Sequence, residues 1–346
     1  MTGLWAPYSR LFMVSDSTFW VISWEMKEVG LIAKKLGKRL APTWLFPFAD
    51  LQSVFFGSHF DLLLNEKWFN TSCRFATAYF HGRPGTGNRE FDLCFENLRK
   101  YHDRIQRIQV SHTEMNNLVL SSGIDSKKVF LIPIGINPDY FIPQTPKLRW
   151  QARERYRIPQ HSVVIGSFQK DGVGWGEGME PKLVKGPDVF VNTLSVLKSK
   201  IPDLFVLLSG PARGYVKAGL EKKGIPYQHH FLENYQDIGS LYHCLDLYMV
   251  TSREEGGPKS ILESMASGVP IVTTCVGQAM DIVRHGENGW MVNSDNIDGL
   301  ADCAEYVVSH PVQREKIVEM GLLTVAENTY NAQVPLWKEF FNGFVG

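Results

Sequence analysis

Short, almost wholly apolar runs alternate with helix-period segments through the second half of this chain, and that alternation leaves few folds open. "SVVIGSF" (162–168) reads as a strand and "GPDVFVNTLSVLKSK" (186–200) as an amphipathic helix. "LFVLLSG" (204–210) is a second strand, followed by "DIGSLYHCL" as a helix and "DLYMVTS" as a strand. "PKSILESMAS" (258–267) and "PIVTTC" (270–275) repeat the pair. Strands apolar on both faces must be covered on both faces, which predicts a parallel sheet between two helical layers. Such a doubly wound, Rossmann-like α/β domain presents its ligand site at the carboxyl ends of its strands.

The first half is less regular but similar in kind. "RLFMVS" predicts a first strand, and "EMKEVGLIAKKLG" a helix that stops at Gly37. "FATAYF" predicts a strand running up to His81. "NLRKYHDRIQRIQ" (97–109) predicts a basic helix, and "VFLIPIGIN" a closing apolar strand. Pro138, Pro143 and Pro146 interrupt regular structure between Asn137 and Trp150 and stiffen a connector. The division expected is therefore 1–145 and 146–329. Two α/β domains facing each other across a cleft would place a site at their interface.

Composition narrows the class. The 346 residues suffice for two ordinary domains, and 44% hydrophobic with 21% charged residues describes a soluble globular protein. No apolar run approaches the ~20 residues that cross a bilayer. Arg10 and Asp16 interrupt what would be the apolar core of a secretion signal. The five cysteines are odd in number, widely spaced and without metal-ligand spacing, as expected in a reducing, cytosolic setting. Net charge is zero, but residues 1–150 carry 18 Lys+Arg against 13 Asp+Glu, a net +5 that the remainder balances. A basic first half suits an anionic acceptor or membrane surface; no nucleic-acid partner is expected. Nine tryptophans provide flat apolar surface for sugars or for core packing.

Chemistry concentrates in "EEGGPKSILESMASG" (254–268). Pro258 fits the first helical position and Gly268 the stop. Ile261, Leu262, Met265 and Ala266 form the apolar face, with Glu263 outside it beside Lys259. Glu255, Gly256 and Gly257 lie in the entry loop. Glycine lets backbone amides approach a ligand closely, and the amino end of a helix favours an anion such as phosphate. Glu255 would then stand beside a phosphate site, and Glu263 could accept hydrogen bonds from a vicinal diol such as a ribose. Alternatively Glu263 pairs with Lys259 four residues back and Glu255 faces solvent.

"EEGGPKSILESMASGVPIVTT" resembles the acid-x7-acid signature of glycosyltransferase family 4, which adopt the GT-B fold. The Gly-x-Pro-[IV]-[IV] strand follows as Gly268, Val269, Pro270, Ile271 and Val272. "IGSFQKDGVGWGEGMEPKLVKGPDVFV", "IPDLFVLLSGP", "LYHCLDLYMVTSREEGG" and "VGQAMDIVRHGENGWMV" resemble further family segments in the expected order. Upstream, "VSHTEMNNLVLSSGIDSKKVFLIPIGINPDYF" resembles the end of the family's first domain. Together these cover roughly two thirds of the chain.

The resemblance implies two Rossmann-like domains and a retaining, nucleotide-sugar-dependent transferase of hexosyl units, typically in bacterial surface polysaccharide or glycolipid synthesis. It places Glu263 on the donor ribose, Glu255 near the donor sugar and Lys185 on the diphosphate. Lys170 is the match for a second basic residue there, with Gln169 the alternative. Gly256, Gly257, Pro258 and Lys259 belong to the donor-binding segment. His81, ahead of Arg83, matches a histidine near the donor sugar, donating to a sugar hydroxyl or to a backbone carbonyl. No Asp-x-Asp occurs, and the family generally works without a metal, so neither metal nor other cofactor is expected. The partners implied are a nucleoside diphosphate sugar and a glycan or lipid-linked acceptor, at the inner face of a membrane or free in the cytoplasm. The aromatic helix "AQVPLWKEFFNGF" should cross back onto the first domain.

The chain departs from the family in two places. "VSDSTFWVIS" (14–23) follows the first strand without the usual glycines, and "DGVGWGEG" (171–178) is longer than expected, a lid or an insertion. A GT-B epimerase or phosphorylase, or a catalytically silent sugar-nucleotide-binding protein, would use the same framework. A nicotinamide dehydrogenase is disfavoured because no Gly-x-Gly-x-x-Gly follows a first strand.

Overall fold

The structure is a computed structural model that describes residues 5–15 and 21–346. The chain divides into two units, residues 1–135 with 328–346 and residues 136–327. The first is built on five parallel strands in the order β1 (Leu11–Val14), β2 (Ser53–Phe56), β3 (Arg74–Ala78), β4 (Ile105–Val110) and β5 (Val129–Leu131). Leu40 adds a single parallel bridge to Leu11. Leu11 N donates to Arg39 O and Ala41 N to Leu11 O, both at 2.9 Å, whereas β2 is bonded through Arg10 on the opposite edge of β1. Chain direction across the sheet therefore reverses at β1.

Alternate side chains of these strands feed two cores, as a period of two demands. Phe12, Val54, Phe56 and Phe75 pack with the helices His59–Leu63, Arg89–Tyr101 and Thr113–Ser121. Leu11, Phe55 and Ala76 pack with the helices Val21–Lys35 and Val334–Phe341. Trp337, Phe340, Phe341 and Phe344 are all buried in the second core. Arg107 donates to Phe340 O (3.2 Å) and Asn342 O (2.9 Å), and Arg74 to Gly343 O (3.1 Å). Cations thus meet the carbonyl end of the last helix.

The second unit carries six parallel strands: β6 (Val163–Phe168), β7 (Leu204–Ser209), β8 (Tyr227–His230), β9 (Leu247–Val250), β10 (Ile271–Thr274) and β11 (Trp290–Val292). Their order is β11-β10-β9-β6-β7-β8, so the winding reverses between β6 and β9. The alternation recurs: Val164, Leu207, Tyr248 and Ile271 face one core, and Ile165, Val206, Leu247 and Val272 the other.

Several local expectations are corrected. The basic helix ends at Tyr101, and Ile105–Val110 is a strand, because Ile105 and Ile108 are needed between β3 and β5. β3 stops at Ala78, three residues before His81, and β5 stops at Leu131, two residues before Pro133, which has no amide for a ladder. The division falls at residue 135, not 145. Phe141 joins the second unit's core, and Gln144 N donates to Ser267 O at 2.8 Å, so the proline-rich connector is part of that unit. Residues 16–20 of the glycine-free stretch 14–23 lie outside the described residues. No helix among the described residues is long and apolar enough to cross a membrane.

Candidate active site

The reversal between β6 and β9 opens a crevice at the carboxyl ends of those strands, the position at which doubly wound sheets bind ligands. β9 leads into Thr251–Pro258, and the helix Lys259–Ala266 follows. Pro258 is its cap residue with φ −66° and ψ 106°, one position earlier than the sequence suggests. Gly268 ends the segment at φ +67°, as a left-handed stop requires. Gly277 lies against the entry loop so closely that a Cβ there would come within 2.4 Å of Glu255 O, and Gln278 N donates to Gly256 O at 3.1 Å.

Glu255 is mostly buried and does not simply face solvent. Its Oε2 lies 2.6 Å from Lys185 Nζ, and its Oε1 accepts from Ser252 Oγ at 2.8 Å. Backbone contacts hold the lysine's segment against the loop: Arg253 N and Glu254 N donate to Val184 O at 2.8 and 3.1 Å. Arg253 also donates twice to Asp188, at 2.8 and 2.7 Å. Gly186, next to Lys185, sits at φ +61°, where a Cβ would lie 1.9 Å from Thr251 O. Only glycine meets both the torsion and the space, so Gly186 is a requirement of this crossing.

Glu263 is also placed differently from the simple helical-wheel expectation. Its helix is buried all round, and Glu263 is only 4% exposed. Tyr242 donates its hydroxyl to Oε2 at 2.9 Å, and Tyr235 donates to Oε1. Burial raises its pKa, opposed by the Tyr235 hydrogen bond, the Lys259 charge and the Tyr242 hydrogen bond. Lys259 is itself buried and contributes charge from within the core, not a surface ion pair. Two hydroxyl donors leave a carboxylate with further lone pairs, so the diol reading stays chemically open.

Lys170 follows β6, but its ammonium stands 4.2 Å from the ring centre of Trp175. Gln169 turns its amide to Lys185 O at 3.3 Å. A third lysine, Lys182, joins the cluster. Its side chain is exposed overall, yet its ammonium is crowded by protein, and that desolvation, then Lys185 and Lys170, lowers its pKa against the pull of Glu255. Sequence motifs gave no reason to select Lys182, Ser252, Tyr235 or Tyr242, because each acquires its role only by folding against a motif residue. His81 belongs to the other unit. There it lies edge-on to His59 (5.9 Å) and Phe91 (5.9 Å), while His59 stacks on Tyr79 at 3.9 Å. Burial, then the charge of His81, pushes the His59 pKa well down, and the backbone of Ala78 opposes this.

Residues 181–322 match the family model for glycosyl transferases group 1. The lipopolysaccharide core biosynthesis mannosyltransferase LpsB of Rhizobium meliloti is 26% identical over 203 residues, 56% of this chain and 51% of that protein. A D-inositol 3-phosphate glycosyltransferase of Corynebacterium urealyticum is 25% identical over 80% of this chain and 66% of its own length. The chain spans about half to two thirds of the length of these curated relatives. Among solved structures, Anabaena Alr3699/HepE in complex with UDP-glucose superposes with TM-score 0.77 at 14% identity, covering 96% of this chain and 99% of that one. A glycosyltransferase of Rickettsia africae superposes with TM-score 0.72 at 21% identity over 98% and 99%. These likenesses show the fold, the GT-B architecture of two Rossmann-like α/β units.

Proposed function

We propose that this protein is a retaining glycosyltransferase of family 4 that transfers a hexosyl unit from a nucleoside diphosphate sugar to an acceptor hydroxyl. The observation that carries this reading is the Lys185–Glu255 pair at 2.6 Å, at the mouth of the Lys259–Ala266 helix that buries Glu263. Both lie within the segment that matches the group 1 transferases. Relatives named as mannosyl- and inositol-phosphate glycosyltransferases, and a neighbour solved with UDP-glucose, support it. In this reading the bond from sugar C1 to the diphosphate oxygen breaks and the bond to the acceptor oxygen forms. The acceptor proton is released, and the departing diphosphate gains negative charge. Lys185, Lys182 and Lys170 offset that charge, Glu255 orients the sugar, and Glu263 holds the ribose.

A thermal-shift panel of nucleoside diphosphates on wild type and Glu263→Gln tests this. A ligand at 100 times its Kd adds ~2.7 kcal/mol to the wild type, and the variant loses that gain. If no nucleotide shifts the wild type, the donor-site reading fails. The unliganded variant should also melt no lower than wild type at neutral pH. The folded pKa of Glu263 is raised, so its charge costs stability as pH climbs from the unfolded carboxyl value through the folded one. The stability gap in favour of Glu263→Gln should widen across that window and vanish below it.

Ammonium groups replace a metal in this scheme, and transfer should proceed undiminished in excess EDTA; a chelator-sensitive rate that magnesium restores would overturn the metal-free reading. The acceptor we propose is a glycan or lipid-linked hydroxyl in bacterial surface polysaccharide or glycolipid synthesis, met at the cytoplasmic face of the membrane. The net +5 of residues 1–150 predicts co-sedimentation with anionic vesicles that added salt abolishes. Absence of vesicle binding at low salt would remove the membrane from the scheme.

A further inference from the structure

The glycine-rich stretch after β6 is an arm with a fixed base. Gly172 bridges Pro181 in antiparallel fashion, Val173 N donates to Glu180 O at 2.9 Å, and Lys182 N to Asp171 O at 2.7 Å. The returning strand caps the Gly214–Lys223 helix: Gly214 N and Tyr215 N donate to Glu177 O and Gly178 O at 2.7 and 2.9 Å. Added Cβ atoms at Gly172, Gly178 and Gly214 would meet backbone atoms at 2.4, 2.2 and 2.6 Å. Beneath the base, Asp171 and Arg213 form a fully buried pair at 3.1 Å, and Arg213 Nη1 donates to Ser167 O, Gln169 O and Ser209 O. The base is thus neither a loose insertion nor a hinge. The tip differs: Cβ atoms at Gly174 and Gly176 would touch nothing within 4 Å, and Trp175 between them is 61% exposed.

An arm anchored at its base that carries an exposed aromatic ring at its tip, beside Lys170, has the form of a binding platform. We infer that Trp175 is the stacking platform for the transferred sugar, a specificity-determining residue at the hexosyl end of the donor site. This rests on the transferase reading above. The position of the ring selects the sugar over the nucleoside. Trp175 lies 4.2 Å from the Lys170 ammonium; Gln169, the residue before it, donates to Lys185 O at 3.3 Å, and Lys185 Nζ lies 2.6 Å from Glu255 Oε2. Glu263 is held instead by the hydroxyls of Tyr242, at 2.9 Å, and Tyr235. Trp175 therefore belongs to the Glu255 end, where the sugar is oriented. A pyranose offers an apolar C–H face to an aromatic ring, and nothing in that contact needs the nucleotide.

The test compares binding of UDP and of UDP-glucose, then of the GDP and GDP-mannose pair, to wild type, Trp175→Ala and Trp175→Phe by calorimetry. We expect Trp175→Ala to bind the free diphosphate like wild type but the sugar conjugate about 5- to 10-fold more weakly, with Trp175→Phe restoring most of the loss. Tryptophan emission of the wild type should change with the conjugate and not with the diphosphate, and that difference should disappear in Trp175→Phe. Equal losses for both ligands, or none for either, would overturn the assignment. Failure of wild type to bind any diphosphate would instead sink the transferase reading beneath it.

Discussion

Lys185→Gln lowers kcat for sugar transfer by about 10²–10³-fold, the scale found when one preorganised donor is removed from a developing anion. Glutamine keeps a hydrogen-bond donor for Glu255 but removes the charge 2.6 Å from its Oε2. The ground-state diphosphate already carries charge, and bond breaking adds more, so the interaction strengthens towards the transition state. The loss should therefore fall on kcat as well as on kcat/KM, with donor KM changing less. Lys185 is partly exposed, and Gly186, which sets the crossing, is untouched, so the melting temperature should stay near that of wild type. Initial rates across a donor series separate the terms. An unchanged kcat with a raised KM would reduce Lys185 to a ground-state binding group.

Asp246→Ala should cost about 3–5 kcal/mol of folding free energy, the penalty for stranding a buried charge. Arg153 is fully buried, 2.7 Å from Asp246 Oδ2, and Arg149 lies 2.6 Å from Oδ1. Oδ2 also accepts from Val164 N at 2.8 Å, and Arg153 donates to Cys244 O at 2.9 Å. Burial already lowers the Arg153 pKa, and the Asp246 charge is the main force opposing that. Without Asp246 the guanidinium keeps only carbonyl partners, Cys244 O and Ser162 O among them, and the Pro146–Arg155 helix loses its charged link to Val164 N in β6. Urea denaturation should show a lower midpoint with an unchanged slope. A shift under about 1 kcal/mol would mean that water or a local rearrangement solvates Arg153, and that the network is not a stabilising tie.

The second unit was legible in the sequence because its strands are apolar on both faces, and only a two-layered cover of a parallel sheet satisfies that pattern. Glu255 and the glycines beside it were legible because glycines ahead of a helix start make an anion site, and Lys185 through the resemblance to glycosyltransferase family 4. The structure adds the reason for the glycine after that lysine: torsion and space at Gly186 leave one amino acid. The first unit was harder to read. Ile105–Val110 carries charge and amide side chains among its apolar ones and follows a basic helix without a strong stop, so local pattern extended the helix where pairing with β3 and β5 made a strand. The single bridge at Leu40, which makes that sheet doubly wound, has no strand signal at all.

The sequence by itself determined the doubly wound α/β pattern of the second unit, from periodicity, and the glycine-lined helix entry beside Glu255; Glu263 and Lys185 were singled out by the resemblance to glycosyltransferase family 4. Only the tertiary structure decided the state of those groups. It paired Glu255 with Lys185, buried Glu263 under two tyrosine hydroxyls, recruited Lys182, and fixed the glycine-rich arm that carries Trp175. Burial, pairing and charge are properties of neighbours brought together from distant parts of the chain, and no spacing within one segment encodes which neighbours those will be.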